Sequence, residues 1–82
     1  MKGRARSMTS DQLQELILTA LVRQNGGVRR TWKLAMGPLR LHAVETHPHC
    51  NWSVDPSGSA RENAAIQRLL DDVRGQHPII IG

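Results

Sequence analysis

The residue pattern predicts a small α+β domain in α-β-β-β-α order, with a mainly antiparallel sheet packed on two helices. Complete helix-start signals at Thr9 and Ser59 each precede an apolar stripe at helical spacing. Between them, residues 28–44 and 50–55 shift to an apolar period of two. With 82 residues the chain builds one modest core, so these elements must share it.

Residues 9–25 form the first predicted helix. Thr9 is placed as N-cap with Gln12 closing a capping box, while Met8 and Leu13 stand at the positions of a hydrophobic staple. Asp11 and Glu15 sit in or near the first turn and Arg23 near the last, as the helix dipole favours. Asn25-Gly26-Gly27 stops the helix. Leu13, Leu16, Ile17, Ala20 and Leu21 make one buried stripe. Leu18 and Val22 form a second apolar pair one turn apart, a surplus suited either to deeper burial or to a partner.

From residue 28 to residue 44, Val28, Trp32, Leu34 and Met36, then Leu39, Leu41 and Ala43, alternate with largely polar neighbours. Gly37-Pro38 breaks the run, which predicts two antiparallel strands with Arg29, Lys33, Arg40 and His42 along the polar face. Such a strip solubilises a sheet or binds phosphates. Pro48 makes residues 45–51 a loop, and Cys50, Trp52 and Val54 then mark a short third strand. The expected core face is Trp32, Leu34, Leu39, Leu41, Trp52 and Val54. Ser59 and Glu62 cap a last helix running to about Arg74, with Ala65, Ile66, Leu69, Leu70 and Val73 as its stripe and Gly75 as its end. The β-branched tail Ile79, Ile80 and Ile81 is expected as a short fourth strand or as an edge donated to another chain, a homo-oligomer included.

The domain is expected over residues 9–82, behind a flexible basic leader at 1–8, in which Met8 is an alternative start. Cys50 has no second cysteine to pair with and no apolar signal segment opens the chain, so a reducing, cytoplasmic setting without a membrane partner is expected. The formal charge is +4, but Lys2, Arg4 and Arg6 lie in the leader, leaving eight basic against seven acidic residues in the body. That weakens a purely electrostatic case for nucleic acid.

The stretch Thr46-His47-Pro48-His49-Cys50-Asn51-Trp52 concentrates the unusual chemistry. His47, His49 and Cys50, with His42 or His77 as a fourth ligand, are candidates for zinc, although adjacent His49 and Cys50 point to opposite sides of an extended chain. Cys50 as a nucleophile lacks a credible orienting carboxylate other than Glu45. Trp32 and Trp52 are expected as core anchors whose N–H groups find polar partners. No cofactor is expected.

The element order, with Ser57-Gly58-Ser59-Ala60-Arg61-Glu62-Asn63 opening the last helix, resembles a double-stranded-RNA-binding domain, which implies nucleic-acid binding; Arg29, Lys33 and Arg40 of the polar strip are the candidate residues for it. The His47-Pro48-His49-Cys50-Asn51-Trp52 stretch, followed by Pro56-Ser57-Gly58 and the capped helix, is also similar to small uncharacterised proteins of proteobacterial genomes, some of whose size class act as antiactivators on mobile elements. That resemblance implies a small non-enzymatic bacterial regulator that binds a transcriptional regulator. Leu18, Val22, Ile79, Ile80 and Ile81 are the expected partner-binding residues.

Overall fold

In the computed structural model, which describes residues 8–81, helix α1 spans Ser10–Asn25 and starts where its sequence signal lies. Thr9 Oγ1 accepts the Gln12 backbone N–H at 3.1 Å and the Gln12 side chain accepts the Thr9 N–H at 3.0 Å. Most of the leader expected over residues 1–8 lies outside the described residues, as does Gly82. Met8 packs against the core.

The first strand expected from residue 28 is instead helix α2, Arg29–Met36. Two physical reasons explain it. Arg30 occupies a slot where strict alternation needs an apolar side chain, and Arg29, Arg30, Lys33, Leu34, Ala35 and Met36 are all good helix formers. Once helical, Trp32, Ala35 and Met36 fall at i, i+3 and i+4 and are all buried. Glycines make the connections: Gly26 and Gly27 at φ +82° and +86° turn the chain between α1 and α2, and Gly37 at φ +73° ends α2 with its N–H on the Lys33 carbonyl.

Strand β1, Leu39–Leu41, pairs antiparallel with β2, Trp52–Val54, matching Leu39 with Val54, Arg40 with Ser53 and Leu41 with Trp52. The sheet has these two strands alone among the described residues, and residues 42–51 loop between them. Helix α3, Ala60–Gln76, opens with the expected Ser59–Glu62 capping box and passes through Gly75 before His77 caps it. The α+β class therefore holds, in α-α-β-β-α order.

Helix α1 packs against α2, α3 and β1, and the core gathers on it. Leu13, Ile17 and Leu21 are buried there with Ile66, Leu70 and Val73 of α3, while Leu16 and Ala20 are partly covered. The sheet contributes Trp52 and Val54, whereas Leu34, expected in the core, is exposed on α2, Leu41 is exposed on β1 and Leu39 is partly covered. Both indoles are anchored as expected: Trp32 Nε1 donates to the Gly26 carbonyl and Trp52 Nε1 to the His77 carbonyl, each at 2.8 Å.

Candidate functional site

The 46–52 stretch divides into an exposed half and a structural half. Residues 43–49 are all exposed. Within them the His47 ring stacks on His42 with centroids 4.3 Å apart and planes at 17°. Thr46 Oγ1 lies 2.9 Å from His47 Nδ1, and Ser53 Oγ lies 2.8 Å from His42 Nε2. Imidazole lone pairs lie in the ring plane, so two nearly parallel rings aim theirs past each other rather than at one ion. Among the described residues no three or more His, Cys, Asp or Glu side chains gather into a group that could hold a metal ion, so His47, His49 and Cys50 are not brought together with His42 or His77 as expected. Cys50 is half-buried, and its thiol donates to the Trp52 carbonyl at 3.4 Å.

Asn51 carries the structural half. It is 3% exposed, and its side-chain amide clasps Ile80 at both ends: Nδ2 donates to the Ile80 carbonyl at 2.8 Å and Oδ1 accepts the Ile80 N–H at 2.9 Å. Its own backbone N–H donates to the Pro78 carbonyl at 3.0 Å. Beyond the clasp, Ile81 forms a parallel bridge with Thr9, through Ile81 N–H on the Met8 carbonyl and Ser10 N–H on the Ile81 carbonyl. The tail is thus tied between this loop and the start of α1 and does not join the sheet as a fourth strand. The loop side chain supplies the hydrogen bonds that a neighbouring strand would otherwise provide.

The five residues expected to bind a partner are separated by burial. Leu18 is fully buried in the core cluster, and Ile80 is sealed under the Asn51 clasp. Neither is a surface residue. Val22 is partly covered, and Ile79 and Ile81 remain exposed on either side of Ile80.

The cations are rearranged too. Arg29 and Lys33 stand one helical turn apart on α2 while Arg40 is on β1, so the expected strip along one sheet face is split between a helix and a strand. Arg29 forms an ion pair with Glu15 of α1. The hydrogen bond from Arg29 holds the Glu15 carboxyl below its ordinary value, and the same bond raises the Arg29 guanidinium.

Among the described residues the most exposed apolar side chains are Leu34, at 73% and expected in the core face, and Val28, at 62%. Two shallow apolar grooves border the seam between α1 and α2 near them. One is lined by Thr19 and Val22 with Arg23 and Arg29, above the buried Leu18, the other by Gln14, Leu34, Gly37 and Pro38 with Arg30 and Lys33. Between Glu15 and Glu45 the chain has no acidic residue, and Arg23, Arg29, Arg30, Lys33 and Arg40 all fall there. That segregation was legible in the sequence; the placing of Arg30 and Lys33 beside Leu34 was not, because it requires residues 29–36 to be helical.

No family model, curated protein or solved structure matches the chain. No helix among the described residues is long and apolar enough to cross a membrane.

Proposed function

We propose that this chain is a small non-enzymatic regulatory protein that works in the cytoplasm by binding another protein, in the manner of an antiactivator that sequesters a transcriptional regulator. The observation that supports the reading is Leu34, 73% exposed on a helix whose other apolar residues are buried and bordered by an apolar groove. Ile79 and Ile81 add exposed β-branched surface at the tied tail. Affinity purification of the tagged full chain from its native cell, with bound proteins identified by mass spectrometry, tests the reading. A stoichiometric protein partner, a transcriptional regulator whose DNA binding falls when the chain is added, is the expected result. Recovery of nucleic acid without a protein partner overturns it.

The nucleic-acid alternative has in its favour Arg23, Arg30 and Lys33, which have no carboxylate within ion-pair distance among the described residues. Against it, both tryptophans are buried, so neither offers a face on which bases stack. Steep loss of RNA or DNA binding with salt, dependent on Arg29, Lys33 and Arg40, is its signature.

A further inference from the structure

We propose that the α1–α2 seam docks an acidic amphipathic helix of the partner, its apolar stripe on Leu34, Pro38 and Val22 and its carboxylates on Arg23, Arg30 and Lys33. The proposal rests on the protein-binding reading above and names the surface and the chemistry of the occupant. Three observations carry it.

Shape comes first. The two grooves take their walls from both helices, and between Gln14 and Arg23 helix α1 advances about 13 Å, a length that two to three turns of a docked helix cover. Charge comes second. Arg23, Arg29, Arg30 and Lys33 border the two grooves, and among the described residues Glu15 is the one carboxylate paired with any of them. A carboxylate-bearing ligand meets unpaired cations here, whereas a basic one meets repulsion. Third, the apolar part separates a protein segment from nucleic acid. Phosphates satisfy the cations but leave Leu34 and Val22 without a partner, and both tryptophans are buried, so neither indole is open to stack on bases. An amphipathic helix with leucines one turn apart and glutamates beside them satisfies both.

The probe is a panel of fluorescein-labelled synthetic helices with leucines at i, i+3 or i+4, and i+7, flanked by glutamate, titrated with the full chain and read by fluorescence anisotropy. A matched panel carries lysine for glutamate, and an RNA duplex serves as competitor. At least one acidic helix is expected to bind, with affinity falling tenfold or more in Arg30→Glu/Lys33→Glu and in Leu34→Ser, and unchanged in Arg68→Glu on α3. All four positions are exposed, so circular dichroism should report an intact fold; if Leu34→Ser unfolds, the charge-reversal pair decides.

Equal binding of the acidic and basic panels, or no effect of the charge reversal, overturns the proposal. So does preferential capture of the RNA duplex by the same cations, or a dimer that Leu34→Ser dissociates in sedimentation, which would give the seam to a second copy of the chain. A native partner retained equally by wild type and by the Arg30→Glu/Lys33→Glu variant overturns this surface while leaving the protein-binding reading standing.

Discussion

Replacing Asn51 by alanine removes a buried polar side chain that holds the C-terminal tail. The substitution leaves the Ile80 N–H and C=O without partners in a residue that is 3% exposed, and each orphaned group costs about 1–3 kcal/mol. The expected loss is therefore about 2–6 kcal/mol, a large share of the roughly 4–12 kcal/mol that a domain of this size has. Urea denaturation followed by tryptophan fluorescence measures it, since Trp52 hydrogen-bonds to His77 just before the tail. Hydrogen exchange at the Ile80 and Ile81 amides gives a second readout: both should exchange much faster in the variant. Asn51→Asp separates the two halves of the clasp. Its carboxylate still accepts the Ile80 N–H but faces the Ile80 carbonyl with an oxygen, so it should be as damaging as alanine at neutral pH and recover in acid, where a protonated carboxyl donates again. A loss under about 0.5 kcal/mol for Asn51→Ala, with Ile80 still protected from exchange, would refute the reasoning. The tail would then be held by burial of Ile80 and the Ile81 bridge alone.

Three further outcomes are expected. Glu15→Gln should flatten the acid end of the stability profile: the folded carboxyl titrates below its ordinary 4.5, so its contribution is present above that value and lost as pH falls through the folded value, which thermal melts across acid pH detect. Because both side chains of the pair are open to solvent, the change should also shrink with added salt. Ser59→Ala should cost about 1 kcal/mol by removing the acceptor of the Glu62 N–H at the start of α3, with Thr9→Ala similar at α1; denaturation midpoints check both. Gly58→Ala should destabilise by about 1–3 kcal/mol, because its new Cβ would lie 2.7 Å from the Ala35 Cβ on α2 and crowd the Glu62 carboxylate. Equal midpoints for Gly58→Ala and wild type would show that the loop over residues 55–59 shifts freely.

Local signals were legible wherever the side chains that make them lie close in sequence. The Thr9–Gln12 and Ser59–Glu62 boxes, the α1 and α3 stripes and the Trp52–Val54 strand all depend on neighbours within one turn or one pleat. The region 28–36 was not legible in the same way. Val28, Trp32, Leu34 and Met36 satisfy a period of two apart from one slot, while Trp32, Ala35 and Met36 satisfy the helical period, and both patterns are short. Packing against α1 decides between them: the helix buries the indole and Met36 and turns Leu34 outward.

Sequence alone therefore determined the α+β class, the two long capped helices, the tryptophans as anchors and the charge-segregated middle of the chain. Tertiary structure decided which of the surplus apolar residues reach solvent, removing Leu18 and Ile80 from the surface and adding Leu34 and Val28. It also turned part of the His–Cys–Asn–Trp stretch from a candidate site into a clasp. The reason is separation along the chain: Asn51 meets Ile80 across 29 positions and Arg29 meets Glu15 across 14, and no local period encodes a contact that exists only after the helices have packed.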